Sequence, residues 1–405
     1  MNSINPIVRW WVTPKLPPED ILAKHNPISQ WITHPIKRRL AKKYLQSLRQ
    51  SDTGIKVIGI TGSTGKTTTT EILASILKRV GKTVKSAEGV DPVYNIPNTI
   101  LKADKRTKFL ILEMSVEYTN EMDYYLWLAT PDVGIVTNIA ITHTQFLKDE
   151  KGIAKEKGKL IKSLESSGVA VLNSDDRVVK SFSDDTKAKV EYFGEKTKIS
   201  ASKIYLNEDM STNFTLRIGM NTKNIHIKAL GKQFVNNALA AAAAANALGV
   251  GMGDISAGIE DFKQPKHRLN VIKSKENGII FDDTYNSNPK AALESLQTFK
   301  AMASGHEKIA VIGDMLELGK YEESAHRELG REAGRAGFKY LVGVGSAARF
   351  IVEEAAGLTG SENCFLVGNY AEALQIIRPF LGNDTALFVK GSRSIHLDKL
   401  VDALL

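Results

Sequence analysis

One cysteine, Cys364, stands in 405 residues, so an internal disulfide is excluded and a reducing cytoplasm is the expected compartment. With no second thiol to meet, Cys364 reads as a small buried hydrophobe. No apolar run is long enough to cross a bilayer: the longest, Ala238 to Val250, is interrupted by Asn246. The chain does not open with a charged start, a long apolar middle and a small-residue cleavage site, so no secretory leader is expected. No repeat of fixed period and no low-complexity tail occurs. The Asn-Lys-x-Asp string that reads guanine is missing, which argues against a GTPase switch. What remains, at 42% hydrophobic and 24% charged residues, is an ordinary globular composition on a chain long enough for two or three domains.

The net charge of +9 is uneven. Residues 1–54 carry nine Lys/Arg against three Asp/Glu, a surplus of six. Such a surplus suits nucleic acid, an anionic lipid surface or acidic substrates; no nucleic-acid partner is expected. Pro6, Pro14, Pro17, Pro18, Pro27 and Pro35 forbid long regular elements before about residue 36. A basic helix follows from Ile36 to Arg49, with Leu40, Tyr44, Leu45 and Leu48 read as one side. The favoured reading is an arm packing its aromatics, Trp10, Trp11 and Trp31, onto the next domain. A membrane-surface helix is the lesser reading.

The stretch that organises the rest is Gly59-Ile-Thr-Gly62-Ser-Thr-Gly65-Lys66-Thr67-Thr68. It follows a β-branched run and leads into a helical pattern, the order a phosphate-binding loop requires. Glycines let backbone N–H groups of Gly62, Ser63, Thr64 and Gly65 turn toward phosphate oxygens, and the helix start adds partial positive charge. Lys66 would reach the outer phosphates of ATP, and the Thr67 hydroxyl would hold a Mg2+. Ile60 stands where the general pattern has its first glycine.

Strand and helix then alternate, as in a mostly parallel α/β sheet. Strands are expected at 55–60, 83–87, 108–113, 133–138 and 169–173, with helices at 66–80, 119–129 and 150–165. Residues 187–230 read as short antiparallel strands, followed by an alanine-dense helix at 235–248. A second, Rossmann-like α/β unit starts near residue 267. Its strands are expected at 278–282, 307–312, 339–344, 363–367 and 385–390, with helices at 289–303, 321–336, 346–356 and 370–380. The expected division is an arm, 1–54, a central P-loop ATP-binding domain, 55–266, and a C-terminal domain, 267–405.

Strand 108–113 delivers Glu113 at its carboxyl end, where ligands bind in open α/β sheets, so Glu113 is a Mg2+ ligand candidate. The next strand leads through Asn138 to His143 on the same rim, which can hold a metal or a phosphate oxygen. Lys155, Lys157 and Lys159 read, taken alone, as a solvated basic helix face.

These strings occur in one order: Thr61 to Thr69, Glu113-Met, Thr137-Asn138 to His143, Ala154-Lys-Glu-Lys157-Gly, Gly231 to Asn237, Asp282-Asp283-Thr-Tyr-Asn-Ser-Asn-Pro289, Gly313-Asp-Met-Leu-Glu-Leu-Gly319 with His326, and Lys390-Gly-Ser-Arg393. The series resembles the Mur ligase family, and within it the branch that adds a D-alanyl-D-alanine dipeptide. The resemblance implies that Gly62, Ser63, Thr64, Gly65, Lys66, Thr67 and Thr68 bind ATP phosphates. It implies that Thr67 and Glu113 hold one Mg2+ and His143 a second, and that Lys157 carries CO2 as a carbamate. Like-charge repulsion from Lys155 and Lys159, if close, would favour the neutral, reactive amine. Arg268 would touch phosphate, Asp283 ribose and Asn237 adenine, while Asn138, Asn286, Asn288, Lys390, Ser392 and Arg393 would meet the substrates. Gln233-Phe234 replaces the family's His-Asn, and residues 1–54 stand where the family carries a uridine-binding domain.

The implied activity is an ATP-dependent carbon–nitrogen ligation. A substrate carboxylate becomes an acyl phosphate, which the amine of an amino acid or dipeptide then attacks, in cell-wall peptide synthesis by a cytoplasmic monomer. The alternatives are a folate or amino-acid polyglutamate ligase of the same family, or a non-catalytic ATP-dependent binding or regulatory protein.

Overall fold

The computed structural model describes residues 32–51, 54–275 and 278–405; the three tryptophans of the arm and its prolines before Pro35 lie outside them. Helix α1 (His34–Gln50) comes first, with Pro35 in its first turn, where a missing N–H costs nothing. Its inner face, Arg38, Ala41, Leu45 and Leu48, is buried, and each leucine contributes about 2 kcal/mol by leaving water. Arg49 ties the far end down, donating to the Thr130 carbonyl at 2.7 Å and to Asp132 Oδ2 at 3.0 Å. The four apolar residues read as one side are two sides. Leu45 and Leu48 face inward, while Leu40 and Tyr44 face solvent, because five residues advance a helix by about 140° beyond a full turn. What the described arm packs onto the domain is aliphatic at Ala41, Leu45 and Leu48 and polar at the buried His34 and Arg38.

Next come β1 (Lys56–Thr61), α2 (Lys66–Lys78), β2 (Thr83–Lys85), α3 (Pro92–Leu101), β3 (Phe109–Glu113), α4 (Glu121–Leu128), β4 (Val133–Val136), α5 (Thr144–Leu147), α6 (Glu150–Lys162) and β5 (Val169–Asn173). Strand β1 is central, parallel to β3 on one side and β4 on the other. Its residues after Lys56 are buried, as expected of a parallel strand covered on both faces. The sheet runs on through β6 (Lys189–Phe193) and β7 (Ile199–Leu206) to the antiparallel β8 (Thr212–Ile218) and β9 (Asn221–Ile227). Helix α7 (Lys232–Ala247) then crosses against α2. Ala238 and Ala240 to Ala245 on it are wholly buried, since only methyl side chains let helix and sheet approach so closely.

Helix α8 (Met252–Glu260) closes the first unit, and β10 (Asn270–Lys273) opens the second. That second sheet adds β11 (Ile279–Asp283), α9 (Pro289–Met302), β12 (Glu307–Gly313), α10 (Glu322–Gly334), β13 (Tyr340–Val344), α11 (Arg349–Thr359), β14 (Cys364–Val367), α12 (Tyr370–Ile377), β15 (Thr385–Lys390) and α13 (Leu397–Leu404). Its order is β10-β11-β15-β12-β13-β14, with only β10 antiparallel. Helices α3, α5, α8 and α13, and a short helix at Arg177–Ser181 between β5 and β6, were not expected from the sequence. Pro97 lies inside α3 and hides its period, while Gly251 and Gly253 punctuate the start of α8. Cys364 is only partly covered, because it begins the edge strand of its sheet.

Candidate active site

The turn after β1 is built by two glycines. Gly62 has φ 148° and Gly65 φ 79°, backbone that a Cβ would strain. A Cβ on Gly65 would also collide with the Asn237 side-chain oxygen. Gly65→Ala is therefore expected to raise the Kd for a fluorescent ATP analogue at least about tenfold, through strain of about 1–2 kcal/mol plus the clash. Asn138 braces the turn from β4, accepting from the Thr64 N–H at 3.0 Å and donating to the Thr64 hydroxyl at 2.7 Å. Asn138, expected to meet the substrates, thus has a bracing task while it also lines the cavity. Lys66 folds over the loop and donates to the Gly62 carbonyl at 2.9 Å. Burial lowers its pKa, with Glu113 opposing.

Around this loop lies a cavity of about 660 Å3, lined by Ser63 to Thr68, Glu113, Asn138, His143, Gln233, Asn237, Arg268, Asp283, Asn286, Asn288 and Lys390 among others. Thr67 donates to Glu113 Oε1 at 3.1 Å, so the expected hydroxyl–carboxylate pair is assembled. His143 goes elsewhere. Its Nδ1 lies 2.5 Å from Glu317 Oε2, and Glu117 completes a group whose ligand atoms all lie within 4.8 Å of one another. Burial raises the pKa of Glu117, with His143 opposing. Sequence reading missed both glutamates. Glu317 sits inside the quoted Gly313 to Gly319 string, but nothing local shows that this loop reaches the first domain. Two clamps aim it: the Met315 N–H donates to His326 Nε2 at 2.9 Å, and the Leu316 N–H donates to Ser392 Oγ at 2.9 Å. Ser392 and His326 are thus supports of the loop.

Lys157 is 1% exposed and donates to Ser63 Oγ at 3.0 Å. Its pKa is held well below the ordinary lysine value by burial first and by Lys66 second. This corrects the expected cause. Lys155 is exposed to solvent, and Lys159 is neutralised by Asp123 at 2.6 Å and Glu156 at 2.7 Å. Burial, not repulsion by those neighbours, is the main influence favouring the neutral amine. Nor does Lys157 line the main cavity; it stands behind the loop.

From the second domain, Arg268 donates to Thr67 Oγ1 at 2.8 Å and stacks 3.8 Å from the Tyr285 ring centre. The residues on either side of it, His267 and Leu269, have φ near 60° and 54°. Asp283 and Lys390, given separate ribose and substrate roles from sequence, form an ion pair at 2.7 Å across the paired ends of β11 and β15. Lys390 also donates to the Asn286 carbonyl at 3.0 Å. Asn288 caps α9, accepting from the Ala291 N–H at 3.0 Å. Arg393 pairs with Asp398 at 3.1 Å and lies outside the cavity lining.

Residues 60–245 match the model of the Mur ligase middle domain, and residues 267–393 that of the Mur ligase, glutamate ligase domain. The UDP-N-acetylmuramoyl-tripeptide--D-alanyl-D-alanine ligase of Bacillus subtilis (strain 168) is 30% identical over 374 residues, spanning 91% of this chain and 79% of that protein. The enzyme of the same name from Escherichia coli (strain K12) is 27% identical, spanning 90% and 80%. A crystal structure of MurF from Acinetobacter baumannii superposes with TM-score 0.81 at 29% identity, covering 92% of this chain and 80% of that one.

Proposed function

Because this chain belongs to the Mur ligase family, ATP-dependent ligases that join an acid to an amino acid, we propose that it couples D-alanyl-D-alanine to a UDP-N-acetylmuramoyl-tripeptide in cytoplasmic peptidoglycan synthesis. The observation that carries this reading is the contact of Arg268 with Thr67: the second domain reaches into the phosphate loop of the first, so one cavity can hold nucleotide, acid and amine together. Among the described residues no helix is long and apolar enough to cross a membrane.

The donors present fit the cofactors of such a reaction. Backbone N–H groups at the start of α2, with Lys66, would hold the ATP phosphates. Thr67 and Glu113 offer the hard oxygens Mg2+ takes, and Glu117, His143 and Glu317 offer a second set. When bound, Mg2+ neutralises phosphate charge and orients the γ-phosphoryl group. The substrate carboxylate attacks the γ-phosphorus of ATP, giving an acyl phosphate and ADP. The amine then attacks the acyl carbon, loses a proton and expels phosphate. This chain's own contribution is position and charge: Lys66 and Arg268 would meet the transferred phosphoryl group, and the Lys390–Asp283 pair shapes the wall on the second-domain side. Lys157, whose burial favours the neutral amine, is the side chain suited to take up CO2 as a carbamate. We place the domain division at Gln264–Lys266, just before Arg268.

The test is ADP release with UDP-N-acetylmuramoyl-tripeptide and D-alanyl-D-alanine, the product weighed by mass spectrometry. Release that requires both substrates and gives the pentapeptide supports the reading; release without any amine, or no product with this pair, overturns it.

A further inference from the structure

The outward face of α1 is not used by anything described above. Ile36, Leu40 and Tyr44 lie on successive turns of that face and are 44%, 55% and 36% exposed, with Ile32 at 54% one turn earlier. Their opposite side is fixed by Ala41, Leu45 and Leu48, so the helix lies flat with its apolar line turned to solvent. Lys37 and Lys43, both exposed, flank that line, and no acidic residue occurs in 34–50. Tyr44 donates to the Ala103 carbonyl at 2.8 Å, which brings the end of α3 alongside. There Leu101 is exposed, with Lys102 and Lys105 exposed beside it, while Arg106 pairs with Asp104 at 3.5 Å.

We propose that this face docks the enzyme on an anionic lipid bilayer. Aliphatic side chains along the middle of a flat helix, with cations on the flanks, match the boundary between headgroups and acyl chains. Cations there meet a negative surface potential. A nucleic-acid partner would place the cations on the line of closest contact and would gain nothing from Ile36 and Leu40. Docking leaves the cavity free. Asp91 and Pro92 line that cavity at one end of α3, and the patch lies at the other end, about 15 Å away along a ten-residue helix. The enzyme would thus work at the membrane surface while its chemistry stays in the aqueous cavity.

The experiment is co-sedimentation of the full chain with vesicles of equal parts phosphatidylglycerol and phosphatidylcholine, against vesicles of phosphatidylcholine alone. Binding to the anionic vesicles is expected to be about tenfold stronger and to weaken in about 0.5 M salt. The double variant Ile36→Ser/Leu40→Ser is expected to lose about tenfold in partitioning, and Lys37→Gln/Lys43→Gln a similar factor on anionic vesicles only. Both should keep the wild-type melting temperature and ADP release in the absence of vesicles. No binding by the wild type, or binding unchanged in both variants (which would assign it to residues 1–31), overturns the proposal. So does a loss that appears only as altered self-association in sedimentation velocity, which would make the face a contact between copies.

Discussion

Lys66→Met is expected to slow ATP-driven ligation by about 10^3-fold or more, with the melting temperature within a few degrees of wild type. The ammonium is the one cation of the phosphate loop itself. It rests on the Gly62 carbonyl at 2.9 Å and more loosely on the Ser63 carbonyl at 3.4 Å, contacts a triphosphate can replace. Methionine keeps the unbranched volume and leaves α2 intact, so the loss should fall on turnover and nucleotide affinity, not on folding. The first turn of α2 is held by Thr67, Thr68, Thr69 and Thr70, all buried, and by the Thr69 N–H donating to the Gly65 carbonyl at 2.9 Å. Lys66→Arg is also expected to fail, because a planar fork needs more room than a point charge. Rates come from a coupled ADP assay and nucleotide affinity from titration calorimetry. Ligation within tenfold of wild type in Lys66→Met would remove the loop from the chemistry.

The phosphate loop was legible because everything that makes it is local: a β-branched strand, two glycines at left-handed positions and a helix start within a dozen residues. Most strands were legible for the same reason, being short apolar runs bounded by turn residues. Helix α3 was not, since Pro97 breaks the pattern that the burial of Val93, Ile96 and Ile100 obeys. The two acidic partners of His143 were hidden more deeply. Glu117 and Glu317 are 200 residues apart, and their meeting at His143 depends on how two sheets pack, which no local period encodes. Family resemblance supplied residue identities but did not show the local contacts they make: Asn138 braces a turn, Asn288 caps a helix, and Ser392 holds a loop. Each is a short polar side chain satisfying a nearby backbone group, the commonest use of such residues. The two faces of α1 show the same limit, for Leu40 and Leu45 are alike in composition and opposite in environment.

Lys157→Met is expected to do two opposed things, abolishing ligation by about 10^3-fold or more while raising the melting temperature by a few degrees. A lysine amine that is 1% exposed is retained against a desolvation cost, and methionine fills the same channel without it. The hydrogen bond given up is Lys157 to Ser63 at 3.0 Å. Ser63 stays satisfied, donating to the Ala140 carbonyl and accepting from the Ala140 N–H, both at 2.9 Å. The pH dependence has a definite sign. Burial places the folded pKa well below 10.5, so between that lowered value and the ordinary one the unfolded chain binds the extra proton. Stability from this group therefore rises with pH through that window and is lost as pH falls. Methionine removes that slope, so the gain in melting temperature should be larger at neutral than at strongly alkaline pH. A carbamate is checked without turnover: wild type equilibrated with 13C-bicarbonate should give a carbamate carbon resonance that Lys157→Met lacks. Stability unchanged at every pH would mean that the amine is solvated by water behind the loop, and a variant with wild-type ligation would show that Lys157 is a filler of the wall.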